Sequence, residues 1–174
     1  MKILSLSAFL LSLKLSLMGV VFSLHISKKA EREINKVFEI ENATFVQTLD
    51  QDIPGIDKDR LYTIFDQGNA LGFAYVGEAS SQTDTFEYLV VFDANFAVKK
   101  AKVLVYREDY GSEIGSKRWL KQFLDKTPND RFAYRQNIAA ISGATISVKS
   151  MTNAMNNLMI SLASWQNNGK PNKS

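Results

Sequence analysis

The chain contains no cysteine, and this absence excludes several kinds of chemistry at once. Disulfide bonds, iron–sulfur clusters and thiolate metal sites all need the cysteine sulfur. Histidine is almost as scarce, since the only one, His25, lies near the hydrophobic N-terminus. We therefore expect no Ser-His-Asp triad, no histidine zinc site and no histidine general base in the folded part. The sequence predicts no catalytic residue and no metal site, so any chemistry would need an imported cofactor.

Net charge is also small. The formal net charge is +3, but residues 1–23 hold two lysines and no acid, so the rest of the chain carries +1. A protein that binds nucleic acid needs a clustered basic face, and we expect no nucleic-acid partner. We interpret Lys99, Lys100 and Lys102 as the solvated edge of a strand.

A chain of 174 residues with 45% hydrophobic and 22% charged residues fits one folded domain. Residues 1–23 combine a positive start, an apolar run and small residues near Ser23, which is typical of a secretory signal. The alternative is an uncleaved anchor helix. We favour the cleaved signal because Lys14 would cost about 2.5–3.5 kcal/mol at the bilayer centre. Both readings predict an extracytoplasmic, periplasmic location, with membrane association possible through this segment.

The remaining chain divides into an amphipathic helical lead-in at 24–46, a domain at 47–166 and a polar tail at 167–174. Apolar residues three and four apart predict a helix over 28–41, which could lead away from the membrane. Alternation and turn residues predict a hairpin of strands at 61–65 and 71–76, then strands at 86–92 and 98–107. The pattern over 86–92 predicts a strand that is packed on both sides, with the aromatic residues on one side. These connections are too short for crossovers, so the sheet should be an antiparallel meander.

The later part of the sequence predicts a helix at 117–124 capped by Ser116, a strand at 132–141, and a final helix. The final helix carries an apolar stripe from Val148 to Trp165, which we interpret as core packing. The predicted fold class is α+β, an antiparallel meander with packed helices and a C-terminal helix that follows a Ser-Gly-Ala-Thr loop.

That loop, at 142–147, is the candidate site. Gly143 can take a positive φ, and small residues let backbone amides approach a ligand closely. The first turn of the following helix offers N–H groups and the positive end of a dipole, which suit a phosphate. Ser142, Thr145 and Ser147 add hydroxyl groups. The same run is also what a helix N-cap with a tight turn looks like, so the local pattern alone leaves both interpretations open.

The SGAT run at the start of a C-terminal helix resembles the FMN-binding domain family, which includes flavin subunits of the sodium-translocating NADH:quinone reductase and of the Rnf complex. The similarity extends over about 61–165 and includes the meander, the segment 106–115 and the helix containing Trp119. In that family a dedicated flavin transferase attaches FMN to the last threonine of SGAT through a phosphoester. The resemblance implies FMN as cofactor and Thr145 as the attachment residue.

The resemblance also implies which other residues surround the flavin. They are the neighbours of Thr145 in the loop and a glycine-containing segment beside the ring: Ser142, Gly143, Ala144, Ile146 and Ser147, and then Tyr110, Gly111, Glu113 and Gly115. The second segment fits a turn ahead of a capped helix equally well. One position departs from the family pattern, because Ala139 stands where an acid usually precedes the modified threonine by six residues. Non-covalent FMN is therefore one alternative, and a sequence that is no longer flavinylated is another.

The resulting expectation is an extracytoplasmic FMN-binding electron-transfer protein, acting as a relay or as a subunit of an oxidoreductase. Its partners would be a flavin transferase and a membrane-bound redox protein. Two other functions remain open from the sequence. One is a non-redox binding module for a phosphorylated small molecule, and the other is a structural or interaction protein of the cell envelope.

Overall fold

The computed structural model describes residues 26–48, 53, 55–56 and 60–168. The predicted signal or anchor at 1–23 and residues 169–174 of the tail lie outside the described residues. Five strands form one antiparallel sheet in sequence order. They are β1 (Thr44–Gln47), β2 (Leu61–Asp66), β3 (Asn69–Ser80), β4 (Thr85–Asp93) and β5 (Val98–Val105). The predicted meander and the α+β class are confirmed.

The central strands bury side chains on both faces of the sheet, because helices cover both. One face of β4 carries aromatic rings and Val90, all buried, and the opposite face carries Leu89 and Val91. The alternating residues Phe86, Tyr88 and Phe92 belong to the first face. The sequence pattern predicted this two-sided packing, with the aromatic residues on one side.

The C-terminal helix, α3 (Thr145–Asn168), covers the aromatic face of the sheet. Its predicted apolar stripe is confirmed, since six of its residues are at most 3% exposed: Val148, Met151, Met155, Leu158, Met159 and Leu162. Near its end Trp165 meets the ring of Phe96 edge-on, with 5.5 Å between centroids. Of the helices in the described ranges, none is both long and apolar enough to cross a membrane.

The opposite face is covered by the first helix, α1 (Lys28–Phe38). The Ser27 side chain caps it by accepting a hydrogen bond from Ala30 N at 3.2 Å. The helix ends earlier than predicted because Glu39 adopts a left-handed conformation with φ 55°. The helix packs on the sheet through Ala30 and Ile34, which are fully buried.

Strand β1 pairs with β2 and had no counterpart in the sequence prediction. It is four residues long and buries only Phe45, too little alternation to be recognised from sequence. The predicted helix at 117–124 is a short α2 (Lys117–Leu120) followed by a 3-10 turn (Lys121–Phe123). The predicted cap is confirmed, since Ser116 Oγ accepts from Trp119 N at 3.3 Å.

The predicted strand at 132–141 is wrong. This segment is irregular and makes one isolated bridge, between Tyr134 and Ile138. The Asn137 side chain accepts from Ala133 N at 2.8 Å and donates to Arg131 O at 2.7 Å. Local bonds of this kind satisfy the backbone without a neighbouring strand, so the β-rich composition of the segment did not produce a sheet ladder.

The packing of α3 predicts that substitutions at buried and exposed positions of this helix change stability by different amounts. We expect Met155→Ala to lower the free energy of unfolding by about 2–5 kcal/mol, because it empties a fully buried site between helix and sheet. Ile160→Ala is the matched control on the same helix, where the side chain is 44% exposed. It should change stability by less than about 0.5 kcal/mol. Urea unfolding of both variants measures the difference, and equal losses would contradict this packing.

Candidate functional site

The loop at 141–144 is a tight turn that ends where α3 begins. Ala144 N donates to Ile141 O at 3.3 Å, and Gly143, the third residue of the turn, has φ +79°. A positive φ at the third position only is the conformation of a type II turn, which favours glycine there. The sequence expectation that Gly143 takes a positive φ is confirmed.

The first turn of α3 presents backbone N–H groups toward the loop. The helical hydrogen bonds start with Val148 N donating to Ala144 O at 2.9 Å. The amides of Thr145, Ile146 and Ser147 precede that bond and have no partner within the helix. A helix of 24 residues places a partial positive charge at this end. Thr145 and Ile146 are exposed, whereas Ser147 is 3% exposed.

A second loop, which follows β5, packs against this helix start. Tyr106 Oη donates to Tyr110 O at 3.1 Å and shares a hydrogen bond with Ser147 Oγ, also at 3.1 Å. Gly111 has φ +81°, and a Cβ there would lie 2.8 Å from Ala144 Cβ. Glycine is therefore needed at this position for both its conformation and its close approach to the loop. Residues 41 positions apart are joined in one site.

A third segment, which connects β3 and β4, is held in place by the Glu108 carboxylate. Its oxygens accept from Thr83 N at 2.7 Å, from Thr83 Oγ1 at 2.9 Å and from Asp84 N at 3.2 Å. The neighbouring Ser81 side chain, followed by these donors, lowers the pKa of Glu108 to about 2. Glu108 is thus ionised at neutral pH and accepts three hydrogen bonds from the segment 83–84.

These three segments enclose a cavity of about 270 Å³. Its lining combines two tyrosines, polar side chains and the helix start: Gln82, Tyr106, Glu108, Tyr110, Gly143, Ala144, Thr145, Ile146 and Ser147. The Tyr110 side chain is 83% exposed and stands at its rim. Small residues, unpaired amides and aromatic side chains fit a phosphate attached to a flat ring system. None of the nine lining residues is a lysine or an arginine.

The structure places the predicted site residues in different surroundings. Six of the ten line the cavity, and Gly111 packs directly behind Ala144. Ser142 is exposed on the turn outside it. Glu113 lines a neighbouring cavity of about 490 Å³ with Trp119 and residues 139–141, and Gly115 lines a third one beside α1.

Three lining residues were missed as site residues by the sequence reasoning. Tyr106 and Glu108 lie in the segment 106–115 that carried the family resemblance, which was the available signal for them. Gln82 lies in a polar loop with no distinguishing pattern. The site therefore depends on a contact between loops that neither loop's sequence specifies by itself.

The backbone at Ala139 is held from both sides by α2 and the turn after it. Trp119 Nε1 donates to Ala139 O at 2.8 Å, and Ala139 N donates to Gln122 Oε1 at 2.7 Å. Gln122 Nε2 in turn donates to Trp119 O at 2.8 Å. These bonds fix the approach to the turn at 141–144 without an acidic side chain at position 139.

Part of the chain matches a known family model. Residues 82–159 match the family model described as FMN-binding domain. The matched segment begins at Gln82 and contains all nine residues that line the cavity around Thr145. No curated protein matches the chain. The resemblance is confirmed, and FMN is the cofactor that this domain indicates.

The contact between the two loops can be tested at Gly111. Gly111→Ala should lower the free energy of unfolding by about 1–3 kcal/mol more than Gly68→Ala, because the added methyl group meets Ala144. Gly68 is the matched control: its φ is +85°, and a Cβ there would have nothing within 4 Å. Both variants place alanine in a left-handed backbone conformation, so this strain is common to the two. Chemical denaturation measures the free energy of unfolding of each. Equal losses would mean that Gly111 is required for conformation only.

The hydrogen bonds that Glu108 accepts from the segment 83–84 predict that the stability of the fold depends on pH. Its pKa is lowered in the folded state from 4.5 to about 2, so its contribution to stability is complete above pH 4.5 and is lost as the pH falls toward 2. The stability advantage of the native chain over Glu108→Gln should therefore be constant at neutral pH and shrink across that range. Denaturation at a series of pH values measures it, and a pH-independent difference would contradict the role of the charge.

Proposed function

We propose that this chain, which carries an FMN-binding domain over residues 82–159, is an extracytoplasmic electron carrier with FMN attached to Thr145 through a phosphoester. The observation that carries the proposal is the position of the Thr145 hydroxyl. Thr145 is exposed, is the first residue of α3 and lines the cavity of about 270 Å³. A phosphoryl group on its Oγ would lie beside the unpaired amides of the helix start.

The charge distribution favours covalent attachment over simple binding. A free FMN phosphate is close to a dianion at neutral pH, and the cavity lining offers it no lysine or arginine. Helix N–H groups alone contribute modestly at an exposed site. A phosphodiester carries a single negative charge and is retained by its bonds, so it needs no ion pair. The non-covalent alternative would lack the cationic groups that usually hold phosphate.

The attachment reaction balances as a phosphoryl transfer. The Thr145 oxygen forms a bond to the phosphorus of a flavin nucleotide that is activated as a phosphoanhydride. The anhydride P–O bond breaks, a nucleoside monophosphate leaves, and the hydroxyl proton passes to a base or to water. Among the nine residues that line the cavity, we assign none as the base for that step, so we assign the catalysis to a separate flavin transferase.

The residues around the cavity are suited to holding a cofactor. When bound, FMN supplies one- and two-electron transfer. Tyr106 and Gly111 fix the second loop against the helix start, and Glu108 fixes the third segment. The exposed Tyr110 leaves the rim accessible to another molecule. This arrangement supports an electron relay that serves a membrane-bound redox partner more than an enzyme with its own substrate.

The proposed periplasmic location is supported by the sequence of residues 1–23, which is typical of a cleaved export signal or of one anchoring helix. Covalent attachment agrees with that location. A cofactor that can dissociate would be lost outside the cytoplasm, whereas a tethered one is kept.

Attachment at Thr145 is tested by in-gel flavin fluorescence. The full chain is exported in cells that co-express a flavin transferase, and the purified protein is separated under denaturing conditions. We expect a fluorescent band for the native chain and complete loss for Thr145→Val, which keeps the shape but removes the nucleophile. Thr44→Val makes the same change at an exposed threonine of β1, outside the cavity lining, and should stay fluorescent.

The other outcomes separate the alternatives. A yellow native protein whose flavin is released on denaturation would indicate non-covalent FMN. A protein that has no flavin but binds another phosphorylated molecule would be a non-redox module. A colourless protein for which Thr145→Val changes no spectroscopic property would support a structural or interaction role. For a flavinylated protein, reversible bleaching by dithionite and recovery in air would support the relay.

A further inference from the structure

A larger cavity, of about 500 Å³, lies at the β5 edge of the sheet. Its walls come from α1, from β5 and from the segment 117–124, so it bridges elements packed on opposite faces of the sheet. Half of its lining residues are lysines: Lys36, Lys99, Lys100, Lys102, Lys117 and Lys121. We call this surface the lysine groove.

Only one lining residue of the lysine groove is acidic. Glu33 contacts Lys100 Nζ at 2.6 Å and Lys36 Nζ at 3.2 Å. The hydrogen bond from Lys100, followed by that from Lys36, lowers the pKa of Glu33, so its carboxylate is ionised at neutral pH. The lining still carries a formal net charge of +5, although Lys99 also pairs with Asp125, which lies outside the lining, at 3.6 Å. A concave surface with one sign of charge focuses its potential and concentrates ligands of opposite charge.

The groove also has an apolar component. Val37, Ala101, Leu120 and Leu124 contribute to its lining, and Leu124 is 37% exposed. Apolar side chains within a charged rim are the composition of a protein–protein interface. An inorganic polyanion would use the lysines and leave the apolar side chains uncovered. The combination fits a peptide segment with carboxylates on either side of an apolar side chain.

The groove is close to the Thr145 site. Gly111 packs against Ala144 at that site, and Gly115 lines the lysine groove. The connection between them is the 3-10 turn Ser112–Gly115. Four residues span at most about 14 Å, so the end of the groove at Gly115 lies within about 14 Å of Gly111 at the site.

We propose that the lysine groove docks an acidic segment of a partner protein, one that contains an apolar anchor residue, and so holds the partner next to the Thr145 site. Docking stands on the charge and shape of the groove, while the identification of the partner as a redox protein rests on the proposed function. Electrostatic docking of this kind speeds encounter and is weakened by salt.

The test uses the full flavinylated chain and a short fluorescent peptide of glutamates around a central leucine, followed by anisotropy. The triple variant Lys102→Glu/Lys117→Glu/Lys121→Glu should weaken binding by at least about tenfold, because three charges of the rim become repulsive. The matched control reverses three exposed cations that do not line the groove, Lys28, Arg32 and Lys149, and should stay within about twofold of the native chain. Circular dichroism establishes that each variant is folded.

A variant with higher affinity for the peptide provides a second test. Glu33→Gln removes the acid that competes for Lys36 and Lys100, so we expect peptide binding to tighten by about threefold. The proposal is overturned if both triple variants lose affinity equally, because binding would then follow net charge. It is also overturned if the peptide does not bind while anionic phosphatidylserine vesicles do, since the surface would then face a membrane.

The two proposals fail separately. The same titration on Thr145→Val requires no flavin and should give the affinity of the native chain. If the peptide binds but the chain never acquires flavin, the lysine groove remains a docking site and the proposed redox function is wrong. A flavinylated chain that does not bind the peptide would overturn the docking proposal and leave the proposed function standing.

Discussion

The packing of α3 across the aromatic face of the sheet is the constraint on which the rest of the structure depends. The six buried residues of its stripe fix the helix along its length against rings such as Tyr88 and Phe92. A helix fixed in this way has a fixed first residue. Thr145, which is itself exposed, thereby gains a defined position although few contacts hold its own side chain. The core thus determines where a tethered group would be attached.

The site is assembled by short contacts between loops that the sheet brings together. Tyr106 follows the edge strand β5, and its hydroxyl reaches both Tyr110 O and Ser147 Oγ. Glu108, two residues later, holds the segment 83–84 that precedes β4. Because β3, β4 and β5 are neighbours in the meander, their connections have little freedom to separate. Contacts between these loops therefore form the cavity, although loops are in general the most mobile parts of a domain.

Charge is distributed unevenly over the molecule although the net charge is small. The cavity at Thr145 has no cationic lining residue, while the lysine groove has six lysines and one acid. The sequence reading of Lys99, Lys100 and Lys102 as a solvated edge is compatible with this arrangement, since β5 is the edge strand. Strand residues alone could not show that α1 and the segment 117–124 add Lys36, Lys117 and Lys121 to the same concave surface.

The sequence by itself determined the elements with strong periodicity and the residues with a special backbone role. The α3 stripe, the two-sided strand β4, the cap at Ser116 and the positive φ of Gly143 were all predictable, because each depends on local spacing or on one residue's own conformational range. The family resemblance, which rests on the local SGAT run, predicted FMN, and the family match supports that cofactor. It also predicted Thr145 as the attachment residue, which stays a prediction.

Only the tertiary structure decided the features that depend on which segments meet. Sequence could not show β1, which has one buried side chain and exists because β2 offers it a free edge. The sequence also could not exclude the predicted strand at 132–141. In the structure the Asn137 side chain forms hydrogen bonds with Ala133 N and Arg131 O, in place of bonds to a neighbouring strand. Gln82, Tyr106 and Glu108 became site residues in the same way. Contacts between residues that are tens of positions apart in sequence depend on the packing of the whole chain, and local secondary-structure propensity does not determine them.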